Sequence, residues 1–209
     1  MRLQILSTEH WSLLASRNLA WNETFSRAGM FLSTLTGAIV ALALVAQATD
    51  FGEDFRLFAL VILPVVLFVG IGTLLRLGMA QYHDLVCVVG MNRIRAAYLE
   101  LAPDIERFLV MGFHDDWRGI DVTMAVEPGH SMPIRTIASG PMLVSVINAV
   151  LLAAITSLLS VQLGISGLPA LGAGVLGFVF GMAAQLWYAR RAIAQGVRDY
   201  EPMFPPGRP

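Results

Sequence analysis

Four stretches of this chain are apolar over about the 20 residues that a helix needs to cross a bilayer. No other feature limits the fold as strongly. They run from Ala28 to Ala48, Leu57 to Leu75, Met142 to Leu163 and Leu168 to Ala189. None carries a charge in its interior. Arg56 and Arg76 bracket the second. Arg190 and Arg191 close the fourth, beside Trp187 and Tyr188, which suit the aromatic belt of a membrane face. The chain is 56% hydrophobic and 14% charged, with a mean hydropathy of +0.66. A soluble domain of this length has too little interior to hide so much apolar surface.

Arginine sets the orientation. There is no lysine, and the loop 49–56, TDFGEDFR, is acidic with one arginine. The loop 164–167, GISG, has no charge. The remaining arginines lie in the N-terminal segment, the central segment, the tail or the adjoining span ends. The positive-inside rule predicts that both termini and the central segment are cytoplasmic, and an all-arginine basic set amid so much Ala, Gly, Val and Leu suggests a GC-rich bacterium, hence a bacterial inner membrane. The expected organisation is an amphipathic interfacial helix over 1–27, the first two spans over 28–80, a mostly helical cytoplasmic insert over 81–139, the last two spans over 140–190 and a tail over 191–209. The fold class is all-α, integral membrane, with four transmembrane helices.

Within 1–27, Ser7 or Thr8 suits an N-cap, and Trp11, Leu14, Trp21 and Phe25 recur at helical spacing. Such a helix either lies on the inner leaflet or packs on a neighbouring subunit. Beyond the second span, Cys87, Met91, Ile94, Tyr98 and Leu101 step by four, three, four and three. That seam is about two heptads long, short of a coiled coil, and it suits burial against other helices. Pro103 ends this helix and can open another, PDIERFLVM. GFHDDWRG, residues 112–119, then reads as a turn. Over 120–139, Glu127-Pro128-Gly129 suggests a hairpin or a surface loop.

Two His-Asp pairs, His83-Asp84 and His114-Asp115 with Asp116, offer donors for a divalent metal, with His130 as a further candidate. A helical histidine pair at i, i+4 is absent, however. The insert Met79–Ser139 is also small for a catalytic core. The competing reading has these aspartates solvated or paired with an arginine such as Arg118. No carboxylate relay or Ser-His dyad sits inside a span, which speaks against intramembrane catalysis. The expectation is no enzyme and no cofactor. The single cysteine, Cys87, rules out an intrachain disulfide.

The third span is the polar one. Ser145, Asn148, Thr156 and Ser160 gather on one side, where they either line a wet path or bond between helices. In the fourth, Ala173, Gly177 and Gly181 are four apart, a small-residue ridge for close helix contact within or between chains. Pro64 predicts a kink in the second span.

The order over residues 7–111 is amphipathic helix, span, short acidic loop, span and long cytoplasmic helix. This order resembles the SLATT-type two-span modules of bacterial conflict systems. The stretch MNRIRAAYLELAPDIERF is similar to multi-pass membrane proteins of high-GC bacteria. The SLATT resemblance implies oligomerisation and membrane permeabilisation. It is architectural, carries over no functional residue, and departs at the two further spans.

The expected function is therefore an oligomeric, channel-like or membrane-effector protein gated by its cytoplasmic part. The alternatives are a non-catalytic accessory or scaffold subunit and a metal-dependent enzyme at the cytoplasmic face. The expected partners are the lipid bilayer, further copies of the chain, and in the accessory case a membrane or cytoplasmic protein. A net charge of −1 gives no reason to expect nucleic acid.

Overall fold

A computed structural model describes residues 1–124, 139–198 and 200–206. Among the described residues the chain is all helix and loop, with no strand. We label the helices α1 (Arg2–Thr49), α2 (Glu53–Leu101), α3 (Trp117–Thr123), α4 (Gly140–Gln162) and α5 (Leu168–Arg198). A 3-10 helix, Pro103–Phe108, follows α2. Four of these, α1, α2, α4 and α5, are long and apolar enough to cross a membrane. At 1.5 Å per residue, the 23 residues of α4 reach about 35 Å, enough for a hydrocarbon core of about 30 Å.

One expected break is absent. The segment 1–27 and the first span form one element, α1, because no proline interrupts it and Ser7 and Thr8 lie inside it. Thr8 donates to the Gln4 carbonyl of its own helix rather than capping it. α2, as expected, is one helix that runs on past the second span, through Pro64 and into the seam residues. Between α1 and α2, Asp50 and Phe51 turn the chain at positive φ, and Glu53 and Asp54 open α2 where its dipole favours acids. Between α4 and α5, Gly164 and Gly167 take φ of +83° and +70°, which costs a glycine nothing sterically.

The chain divides into two compact units. One comprises Thr24–Gly78 and Thr136–Ala194. Its core joins Phe31 of α1, Ala59, Leu63 and Val66 of α2, and Leu151 and Ile155 of α4. Leu35, Ala38 and Leu42 extend the inward face of α1 at helical spacing.

The other unit comprises Met1–Glu23, Met79–Arg135 and Gln195–Pro209. Its core is Val88 and Met91 of α2 with Ile120 of α3, flanked by Leu13 of α1 and by Tyr200. Of the seam, Cys87, Met91 and Ile94 are buried, and the His10 ring of α1 lies 6.4 Å from that of Tyr98. Leu101, at its end, is exposed. The seam is thus covered, in this unit, by the first part of α1 and by α3.

The helix expected at PDIERFLVM is 3-10 and stops at Phe108, with Leu109 already extended. GFHDDWRG is only half a turn, since its WRG opens α3. Of the segment 120–139, Ile120–Thr123 is helical and belongs to α3. The Glu127-Pro128-Gly129 turn and His130 lie outside the described residues.

Candidate functional site

His114, Asp115 and Asp116 of GFHDDWRG serve three different ends. Asp116 caps α3, its Oδ1 accepting the Gly119 N–H at 3.0 Å. The His114 carbonyl accepts from Asn92 Nδ2 at 2.7 Å. Asn92 is fully buried, and its Oδ1 accepts from Thr123 Oγ1 at 2.7 Å and Arg95 Nη1 at 2.9 Å. Arg95 also reaches the Gly112 carbonyl at 3.2 Å. The bracketing glycines allow close passage. A Cβ on Gly112 would strike the Gly119 carbonyl, and one on Gly119 would strike that of His114.

Asp115 is fully buried and charged. Its carboxylate accepts from Arg93 Nε at 2.8 Å and from the backbone N–H groups of Met203 at 2.9 Å and Phe204 at 2.8 Å. The Tyr200 hydroxyl donates to the Asp115 carbonyl. His114 Nδ1 lies 3.1 Å from the Phe204 carbonyl, which can only accept, so Nδ1 carries the proton. Burial alone would raise the Asp115 carboxyl. The two N–H groups and Arg93 outweigh it and hold the group below the ordinary carboxylate range. Burial and the neighbouring Asp115 charge push the Tyr200 phenol up, so its hydroxyl stays a donor. GFHDDWRG is therefore a seat for the C-terminal segment.

The other pair has different partners. Asp84 is buried against α1, where Arg17 meets both its oxygens and Trp21 Nε1 donates at 3.1 Å. His83 is exposed, with Nε2 3.6 Å from Cys87 Sγ one turn on. Burial and Asp84 raise the Cys87 thiol, which keeps it protonated and a poor nucleophile. The two His-Asp pairs thus serve separate partners, Asp84 on α1 and Asp115 on Arg93 and the tail. Among the described residues no three His, Cys, Asp or Glu side chains gather where they could hold a metal ion.

A second polar cluster lies in the apolar unit, between the long apolar helices. Asn148 is buried, and its Nδ2 donates to Gln185 Oε1 of α5 at 3.3 Å. Gln185 Nε2 in turn donates to the carbonyls of Ser145 at 3.2 Å and Gly181 at 2.9 Å. Both donors being fixed to carbonyls, Gln185 must present its oxygen to Asn148, which fixes the Asn148 amide as well. Asn148 Oδ1 is left buried with no conventional donor, pressed against Gly70 of α2. A Cβ there would collide with it and with the Phe31 ring. A Cα–H contact from Gly70 is the weak donor this geometry supplies.

Thr156 Oγ1 lies 3.1 Å from the Ala173 carbonyl of α5 and 3.0 Å from two carbonyls of its own helix. Ser160 donates to the Thr156 carbonyl at 2.9 Å. The ridge of α5 meets α4 within the chain. A Cβ on Gly177 would strike Thr156 Oγ1, and one on Gly181 would crowd Leu152 at 3.0 Å.

Sequence reasoning passed over Gln185, Arg93, Asn92, Gly70 and the whole C-terminal segment. Gln185 had a usable signal, one turn beyond Gly181 on the ridge and amid apolar residues. Comparison with known protein families, with curated proteins and with solved structures returns no match to this chain.

Proposed function

We propose that the chain is an oligomeric, non-enzymatic membrane protein of channel-like or membrane-effector type, whose copies meet through α1. The observation that carries this reading is an open small-residue ridge on α1. Gly29, Ser33 and Gly37 are spaced by four and exposed, and a Cβ on either glycine would meet nothing within 4 Å. Small residues let helix backbones approach closely in lipid, where dispersion and interhelical hydrogen bonds drive association. The comparable ridge on α5 is already filled by α4. Only 6% of the residues in the apolar stretch of α1 are buried, against 33% in α4. Ser33, Thr34 and Thr36 make this exposed face more polar than lipid contact alone calls for.

This moves the wet path, in the proposal, from the third span to the first. Ser145, Asn148, Thr156 and Ser160 are engaged inside the bundle and do not support a lining role. Arginine distribution supports placing both termini and the unit of GFHDDWRG on the cytoplasmic side of a bacterial plasma membrane, where that unit would gate the spans.

The test is the size of the purified particle together with ion and dye flux in liposomes. Oligomers that conduct, and that fall to silent monomers with Gly29→Leu and Gly37→Leu, support the reading. A monomer that passes neither ion nor dye sinks it.

One observation favours the alternative, an accessory subunit bound to another protein through its polar unit. Trp11 and Leu19 of α1 are 67% and 71% exposed there, and large aromatic anchors are common hot spots. That reading expects a co-purifying protein lost on Trp11→Ala with Leu19→Ala. Isolation as a pure homo-oligomer would exclude it.

A further inference from the structure

We propose that the seat formed by His114, Asp115 and Arg93 is a peptide-binding site, filled here by the chain's own C-terminal segment acting as a releasable strap. The inference does not depend on the assembly of copies or on conduction.

The seat stands without the strap. Asn92, Arg95 and Thr123 hold the loop at residues 112–114 from the side of α2 and α3, and Asp116 holds the start of α3. None of these bonds involves the tail. When the strap leaves, the loop keeps its shape and Asp115 keeps Arg93.

The strap is held by few groups. Over its described residues, 200–206, it has no regular secondary structure, and Glu201, Pro202, Met203, Pro205 and Pro206 are exposed. Its polar attachments are the N–H groups of Met203 and Phe204, the carbonyl of Phe204 and the Tyr200 hydroxyl. Segments with little buried apolar area and few bonds open locally at low cost. A buried carboxylate that accepts two N–H groups of adjacent residues recognises backbone, so the site takes an extended peptide in one register. Tyr200 adds register, its ring edge-on to Trp117 at 6.0 Å.

Release also uncovers apolar surface. Tyr200 walls a half-open cleft of about 250 Å³, shared with Tyr82, Val86, Val89, Trp117 and Ile120. With the strap gone, cleft and carboxylate form one groove, apolar at one end and charged at the other. One residue separates Arg198, the end of α5, from Tyr200. At 3.8 Å per Cα step that leaves about 7 Å of reach. A shift of the end of α5 that carried Arg198 farther than this from Tyr200's seat would draw the strap out.

The test uses the full chain in nanodiscs and a form ending at residue 199, with a fluorescein-labelled YEPMFPPGRP peptide as probe. The shortened protein binds the peptide saturably. The full chain binds it at least about tenfold more weakly, because its own strap competes at high effective concentration. Asp115→Asn in the shortened protein abolishes or weakens binding by about tenfold or more, since charge-assisted bonds are lost. Equal binding by the full chain, or binding indifferent to Asp115→Asn, overturns the proposal. So does no binding by a shortened protein that keeps its helix content.

Should the shortened form fail to fold, amide exchange in the full chain decides. The Met203 and Phe204 amides then exchange well before those of Met91 and Asn92, and about tenfold faster still in Asp115→Asn. Exchange of all four amides in a single event would make the segment a fixed part of the fold and overturn the strap.

Discussion

The Asp115 carboxylate accepts the backbone N–H of Phe204 at 2.8 Å, across 89 residues of sequence. With Met203 and Arg93, this bond sets how the tail responds to acid. The folded Asp115 carboxyl is depressed below its unfolded value, chiefly because the tail amides and Arg93 outweigh burial. Its stabilisation is therefore full above the unfolded pKa and is lost as pH falls through the folded one. The seat also contains the donor side chains of Arg93, His114 and Tyr200. Protection of the Met203 and Phe204 amides should fall on acidification through the acidic range, at constant fold elsewhere. Asp115→Asn should start low and show no such acid step, while His114→Gln should retain it. Hydrogen exchange followed against pH checks all three.

Arg17 and Asp84 tie the first part of α1 to α2. Arg17 meets both carboxylate oxygens, and Trp21 adds a third donor. Removing one partner of a buried pair strands the other charge, at about 3–5 kcal/mol in full burial. The Arg17 side chain is 24% exposed, so solvent softens the loss, and about 2–3 kcal/mol is expected for Arg17→Met. Arg17→Met with Asp84→Leu should recover part of it. Thermal unfolding in one detergent gives the comparison, and an Arg17→Met protein as stable as the parent would mean the pair contributes nothing.

The four long apolar helices and the buried part of the seam were legible because hydropathy and period are local properties. Ala28 to Ala48 states its length in sequence, and Cys87, Met91 and Ile94 state their common face. The continuity of α1 was less legible. It depends on the absence of a breaker between Arg2 and Thr49 and on cover for Leu13 and Arg17, which α2 supplies. The seat could not be read at all. Two of the three donors to the Asp115 carboxylate are main-chain N–H groups 88 and 89 residues away, and a backbone amide leaves no mark in residue type. His-Asp adjacency suggested a metal because side-chain chemistry was all the sequence displayed.

Gly70 is where α2 admits the Asn148 amide. A methyl group there would overlap Asn148 Oδ1 and crowd the Phe31 ring. Overpacking of this kind costs about 1–3 kcal/mol, so Gly70→Ala should destabilise by that amount. Asn148→Ala removes the obstacle but also the bond to Gln185, worth about 0.6 kcal/mol on average in a membrane. The double variant should then be more stable than the two single losses sum to. A strictly additive cycle would show that Gly70 and Asn148 do not touch.

Two glycine ridges make opposite predictions. Gly177 is filled from within, with Thr156 Oγ1 where its Cβ would be, whereas Gly37 opens on empty space. Gly177→Ile should push α5 from α4 and destabilise each protomer by about 1–3 kcal/mol or more, with oligomer size unchanged at temperatures where the fold persists. Gly37→Ile should leave protomer stability within about 0.5 kcal/mol, as for an uncrowded surface site, yet reduce oligomer size. Thermal unfolding and size measurement on the same samples separate the two effects. If Gly37→Ile leaves the particle size unchanged, copies do not meet at this ridge, and the exposed polarity of Ser33 and Thr36 needs another account.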